Sequence, residues 1–393
     1  MGGASLVSRY SKMISWEDAL AAEPIDGRRK VADMCCDIEV YRQCRSLILI
    51  PGREVRGLTS GNQISGYSRP GTIVNTTSMG NRVEMSIMGR PLTVNDRMTA
   101  QSLCKMGIDP ETAMTFGTAA HMDNAAVENT VASSGVRVSV AATGGVRGNG
   151  GRAGDPASFD EASREQSWKK GTIVLIVAVE ARLSDAQLLD VMLAATQAKS
   201  CVLQELMARS LYSHGVATGS GTDQVGVVCD ANSRILVDSA GSGSPLGIAV
   251  SGCVRAALYR TLDMQSGMTH AAQCDPYVSL SRFGIAEGTV HDELRCPSRM
   301  SDLLEADRML HADQYSAAIV SSALRLQDEV DLGNMCQKAA LESAMAIIEG
   351  ALLREGDIDP ATRVVMENVE TVPELVSVAL ACLLRRLAKE VAS

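Results

Sequence analysis

Between His214 and Asp223 the chain reads His-Gly-Val-Ala-Thr-Gly-Ser-Gly-Thr-Asp, a poor core and a good binding loop. Gly219 and Gly221 permit positive φ and close approach of a ligand, while Thr218, Ser220 and Thr222 carry hydroxyls that donate and accept. Asp223 can serve as a base, an acid or an acceptor that holds a ligand. The same composition also makes an ordinary turn. A second stretch, residues 144–170, places Gly144, Gly145, Gly148, Gly150, Gly151 and Gly154 within eleven residues, together with Asn149, Arg152 and Asp155. Such a density of glycine costs backbone entropy that a plain connector does not need. The segment is therefore either a surface loop or one that wraps a bulky ligand with its backbone amides. Lys199 and His121 are the remaining acid/base candidates, with Asp123 beside His121 able to orient the ring.

These residues need elements to hold them. Ala125 to Ala132 and Val136 to Thr143 predict a hairpin about Ser133-Ser134-Gly135, and Val136, Val138 and Val140 alternate with polar neighbours as a half-buried strand requires. Thr143 thus ends a strand and opens the glycine-rich loop. Gly171 to Val179 is apolar throughout, the pattern of a strand buried on both faces, with Thr172 the hydrogen-bonding side chain of its first half. Ser184 and Gln187 form a capping box for a helix to Met207. Its apolar stripe runs through Leu188, Met192, Ala195, Val202 and Leu206, and Lys199 lies on it, where a lysine either snorkels to the rim or pairs with a carboxylate.

After the hydroxyl-rich loop, Gln224 to Cys229 and Arg234 to Asp238 read as a hairpin. Gly241 to Gly247 then leads into a helix to Leu262. Strand, glycine loop and helix outline a dinucleotide site, but no ribose-binding acid ends a following parallel strand. Upstream, Ser46 to Ile50 is expected to pair with Val55 to Thr59, Thr72 to Thr77 forms another strand and Asn95 to Lys105 a helix. Residues 1–44 read as an N-terminal helical extension beginning at Ser15 and Asp18, 45–282 as an α+β domain, and 283–393 as a helical accessory domain. The fold expected is α+β: a largely antiparallel sheet with two packed helices, Ser184 to Met207 and Gly247 to Leu262.

Composition narrows the function. The 393 residues carry 37 basic and 46 acidic side chains, a net charge of −9 that argues against a nucleic-acid partner, as do aromatics at 3%. No apolar run is long enough to span a membrane, and no secretory signal core opens the chain. The 11 cysteines show no Cys-x-x-Cys spacing and read as reduced thiols of a cytoplasmic protein. Cys35-Cys36 lacks the further ligands a metal would need, so no metal is expected. Neither a Gly-x-Ser-x-Gly elbow nor a phosphate P-loop is present.

One ordered set is more specific than any of its pieces: Thr143-Gly144-Gly145, Asn149 with Arg152-Ala153-Gly154-Asp155, Gly171-Thr172-Ile173, Leu183-Ser184-Asp185, Ala198-Lys199 and Ala217 to Asp223. Over a span from Arg45 to Leu262 it resembles the adenosylcobinamide amidohydrolase family, and Ser60, Asn62 and Asn75 resemble its upstream polar positions. The resemblance implies hydrolysis of the amide joining the aminopropanol arm to the corrin ring, which gives adenosylcobyric acid for cobalamin salvage. The partner implied is a corrinoid small molecule, with cobalt only as part of that substrate and no cofactor. Asp223 or Asp155 would activate water, or Thr218 or Thr222 would attack. Backbone amides about Gly219 and Gly221 would stabilise the oxyanion, and Lys199 or His121 would protonate the amine. Thr143, Asn149, Arg152, Thr172, Thr218, Gly219, Ser220 and Gly221 would hold the substrate. Val174 stands where the family leads one to expect Asn, and Gln197 where it has Glu two residues before the lysine. A corrinoid-binding protein that lacks turnover is the alternative, and the C-terminal helices could serve a homo-oligomer.

Overall fold

The computed structural model describes residues 16–61, 66–78, 92–156, 172–293 and 299–393. Ser15, Asn62, Gly171 and residues 157–170 of the glycine-rich segment lie outside the described residues. The chain divides into two compact units, residues 1–204 with 217–267 and residues 205–216 with 268–393.

The first unit begins with a short helix α1 (Trp16–Ala22) followed by strands β1 (Arg29–Met34), β2 (Ile38–Gln43), β3 (Ser46–Pro51), β4 (Val55–Thr59), β5 (Gly66–Ser68) and β6 (Thr72–Thr77). Helix α2 (Leu92–Lys105) leads to β7 (Ala113–Thr118), then β8 (Ala126–Val131), β9 (Arg137–Thr143), β10 (Val174–Val179), helix α3 (Asp185–Glu205), β11 (Gln224–Asp230) and helix α4 (Pro245–Ser266). The strands form a five-stranded sheet of order β1-β2-β3-β6-β7 and a six-stranded sheet of order β5-β4-β11-β10-β9-β8. Pairing is antiparallel except for β6 with β7 and β10 with β11. Each parallel pair is joined through a helix, as a parallel connection requires. The architecture is α+β.

The sheets bury a common core in which Ile38, Val40, Leu49, Ile73 and Met114 of one meet Ala141, Val174, Ile176, Ala178 and Val228 of the other. On the outer face of the first sheet Ile48 and Val74 pack with Leu103, Met106 and Ile108 at the end of α2. Pleating turns Leu175, Val177 and Val179 to the opposite side of the second sheet, so all of β10 is buried. Helix α4 covers β8 and β9 there. Ser184 and Gln187 make the expected reciprocal cap of α3, through Gln187 N to Ser184 Oγ (3.3 Å) and Ser184 N to Gln187 Oε1 (2.8 Å).

Four expectations are corrected. Residues 29–43 are not a helical extension but the edge hairpin β1–β2, because Ile38 and Val40 alternate into the core while Cys36 and Asp37 turn the chain at positive φ. Strands β3 and β4 do not pair; they belong to different sheets, β4 finding β11 and β3 finding β2 and β6. Arg234 to Asp238 forms no strand, and Leu236 makes only an isolated bridge to Arg182. The boundary between units falls after Gly267, the left-handed C-cap of α4, rather than after Arg282.

The second unit is helical in its described residues: α5 (His270–Gln273), α6 (Pro276–Ser281), α7 (Glu287–Asp292), α8 (Met300–His311), α9 (Gln314–Asp331), α10 (Gln337–Ile347), α11 (Pro360–Asn368) and α12 (Val372–Ala392). Helix α12 is apolar around most of its circumference and lies at the centre, touching α8, α9 and α10. Residues 205–216 pack with this unit. Arg282 donates to the His214 carbonyl at 2.5 Å, the Phe283 ring lies 5.3 Å from His214, and Arg209 donates to the Ser281 carbonyl at 3.1 Å.

Candidate active site

Strands β6, β7 and β9 end, and β10 and β11 begin, along one edge of the two-sheet unit. Register puts Thr143 opposite Val174, and Val174 opposite Gln224. At this edge the seam between the sheets turns polar. Asn75 Nδ2 donates to Thr143 Oγ1 (2.8 Å), Thr118 Oγ1 to the Thr172 carbonyl (2.9 Å) and Gly117 N to Gln224 Oε1 (3.1 Å).

Helix α3 delivers Lys199 to the same edge. Its side chain is 9% exposed and its ammonium pairs with Asp223, itself 13% exposed. Taking both charges out of water is costly unless the other lone pairs are satisfied. They are: Asp223 also accepts from Ser220 Oγ (2.5 Å), Ser220 N (3.1 Å) and Ile173 N (3.2 Å). Gly219 has to lack a side chain here, since a Cβ would stand 2.1 Å from Asp223 Oδ2 and 2.8 Å from Lys199 Nζ. Gly221 takes positive φ, 79°, to turn the loop. Next along α3, Ser200 Oγ and, about a turn later, Gln204 Nε2 donate to the carbonyls of Thr218 and Ala217, each at 3.2 Å.

The glycine-rich segment crosses this loop. Gly151 N donates to the Gly219 carbonyl (2.9 Å), the Gly151 carbonyl accepts from Thr218 N (2.9 Å) and Gly219 N (3.1 Å), and Ala153 N donates to Thr218 Oγ1 (2.9 Å). Asp155 Oδ2 closes its own turn by accepting from Arg152 N at 2.7 Å. Asn149 is buried, and its Nδ2 finds no hydrogen-bond acceptor among the described residues. Thr172 and Thr222 share a hydroxyl hydrogen bond of 2.9 Å.

The segments 143–155, 172–173, 199–204 and 217–223 therefore converge, bringing Thr143, Asn149, Asp155, Thr172, Lys199, Thr218, Gly219, Ser220, Gly221, Thr222 and Asp223 to one edge. Arg152 contributes its backbone there and keeps its side chain exposed. Among the described residues no hydrogen bond or ion pair joins the His121 side chain to this cluster. Its ring is 62% exposed, faces Asp123 at 3.4 Å, and its backbone N donates to Gln265 Oε1 at 3.0 Å. The amide of Gly219 is already committed to Gly151, so it is not the oxyanion donor expected. Gln197, two residues before Lys199, is exposed while Lys199 is buried, so the missing glutamate lies on a different side of α3 from Asp223. Val174 is an apolar core residue with no place for a polar contact. Thr118 and Gln224 carry no signal in the sequence that marks them as part of this edge. Only the stacking of the two sheets gives them partners.

A family model described as adenosylcobinamide amidohydrolase matches residues 32–270. Among curated proteins, none matches the chain. Three solved structures are similar at low identity. The PH0078 protein from Pyrococcus horikoshii OT3 is 13% identical, with 61% of this chain and 82% of that one covered at a TM-score of 0.27. A beta-aminopeptidase from Burkholderia sp. is 14% identical, with 58% and 80% covered at 0.26. The L-aminopeptidase D-Ala-esterase/amidase of Ochrobactrum anthropi is 12% identical, with 61% and 80% covered at 0.28.

Proposed function

The chain belongs to the adenosylcobinamide amidohydrolase family, and on that premise we propose that it hydrolyses the amide between the corrin side chain and aminopropanol of adenosylcobinamide. The products are adenosylcobyric acid and aminopropanol. Cobalt takes part only as an atom of the substrate, and no further cofactor is assigned. The observation that carries the reading is the gathering of three features at one edge: the buried Lys199–Asp223 pair, the Gly151–Gly219 bridge and the Asn149 side-chain amide, whose Nδ2 has no acceptor among the described residues.

Amide hydrolysis needs an attacking oxygen, a donor for the developing oxyanion and an acid for the amine. Asn149 Nδ2 is a donor with no acceptor among the described residues, and it fits the oxyanion. The Lys199 ammonium fits the acid. Asp223, whose oxygens already accept from Ser220, Ile173 and Lys199, fits a residue that orients this lysine rather than a free base. Two groups offer the attacking oxygen: water activated by Asp155, or a hydroxyl of the Thr172–Thr222 pair.

Incubation of the purified protein with adenosylcobinamide, followed by mass spectrometry, should reveal adenosylcobyric acid. Tight binding without product would instead favour a corrinoid-binding protein. Loss of turnover in Asp155→Asn but not Thr222→Val selects water as nucleophile; the opposite pattern selects the hydroxyl. Among the described residues no helix is long and apolar enough to cross a membrane. A cytoplasmic location and a homo-oligomer formed through the helical unit belong to the same proposal.

A further inference from the structure

The helical unit repeats one spacing. Glu287 and His291 stand one turn apart on α7, and Asp307 and His311 one turn apart on α8. Residues four apart share a helix face, so each pair presents a carboxylate and an imidazole together. Folding then brings the two faces into contact. His291 Nε2 lies 3.2 Å from Asp307 Oδ1 and 3.9 Å from Glu287 Oε1, and His311 Nε2 lies 3.6 Å from Glu287 Oε2. One ligand atom from each of Glu287, His291 and Asp307 falls within 4.8 Å of the others. Donors held tetrahedrally at roughly 2.0–2.2 Å from one ion stand about 3.4 Å apart, so small rotations suffice.

The surroundings orient these donors as the outer shell of a metal site does. Asp275 Oδ2 meets His311 Nδ1 at 2.6 Å and fixes the ring with its Nε2 on the Glu287 side. Tyr277 OH donates to Asp307 Oδ1 at 2.7 Å, and its ring walls the cluster against both imidazoles. Asp307 is the buried floor, with its side chain 10% exposed, while Glu287 and His311 are 43% and 37% exposed and leave an entrance.

We propose that Glu287, His291 and Asp307, with His311 as the adjacent fourth donor, bind one divalent transition-metal ion of the zinc class and so clamp α7 to α8. Two imidazoles with carboxylate oxygens and no thiolate suit Zn²⁺, Mn²⁺ or Fe²⁺ rather than a soft ion.

The test uses the full-length chain, stripped with a chelator and titrated with Zn²⁺ by calorimetry and with Co²⁺ by absorption. One ion per chain is expected, with a cobalt d–d spectrum free of a thiolate charge-transfer band. That criterion separates this site from the cysteines. Zinc should raise the melting temperature of the wild-type chain. Asp275→Asn should weaken binding by about 10–100-fold, and the His291→Gln, Asp307→Asn double variant should abolish it. Circular dichroism of each variant checks that the helices remain. Absence of binding by the wild-type chain, a thiolate-dominated cobalt spectrum, or undiminished binding by a folded double variant would each overturn the assignment.

Discussion

Gly219 is the residue on which the catalytic geometry turns, because its Cα faces both Lys199 Nζ and Asp223 Oδ2. Gly219→Ala must separate that pair. A displacement of about 1 Å at reacting groups costs on the order of 10²-fold in rate, so kcat/KM for adenosylcobinamide should fall by that factor while the fold persists. Unchanged kinetics would remove the pair from the mechanism. Lys199→Met keeps the apolar stem and leaves the Asp223 carboxylate with Ser220 and Ile173 as its donors among the described residues. Breaking a buried ion pair from one side costs on the order of 3 kcal/mol, which denaturant titration would register together with loss of product. At this scale much was legible: a lysine on an apolar stripe either reaches solvent or finds a carboxylate, and Lys199 found one. Asn75 and Thr143 could be named as polar strand ends, but their hydrogen bond joins two sheets and no spacing within one strand announces it.

Element by element, the sequence was informative wherever one local rule decided the outcome. Strand β10 reads as buried on both faces and is, and β8 and β9 pair as read, but β9 is buried on both faces from Val138 to Thr143 rather than half-buried, because β10 and α4 cover it. The cap of α3 is equally local, and it starts the helix that carries Lys199. Ser184→Ala removes one half of the reciprocal cap and should cost about 1 kcal/mol of stability, seen as a lower denaturation midpoint with kcat little changed. A large loss of kcat would mean that α3 must be pinned at its start for Lys199 to reach Asp223. Pairing partners were less legible. Alternation tells which face of β3 or β4 is buried, but not which strand lies alongside, and chain proximity suggested a hairpin where the two sheets divide. The edge strand β1, mostly exposed and bearing Arg29 and Lys30, carries too little apolar pattern to be seen.

At the scale of the molecule, neither compact unit is a continuous stretch of chain. Composition separated a mixed region from a helical one, but the excursion of residues 205–216 could not be read, since its partners Ser281, Arg282 and Phe283 lie far along the sequence. The Gln204 side chain donates to the Ala217 carbonyl at 3.2 Å, so the two ends of the excursion are neighbours within the first unit. Replacing residues 205–216 with a short Gly-Ser linker and ending the chain after Gly267 should give a folded protein that still turns over adenosylcobinamide. Aggregation of that protein, or folding without turnover, would show that the first unit cannot work alone.

The same excursion has a consequence for biosynthesis. Translation proceeds from the N-terminus, and early domains fold while later ones are still being made. Residues 205–216 emerge well before Arg282 and Asp331, to which His214 is tied. The Gln204–Ala217 clasp closes the first unit around a temporarily unanchored bight of chain, so the nascent protein can set its Lys199–Asp223 centre before the helices that will receive that bight exist.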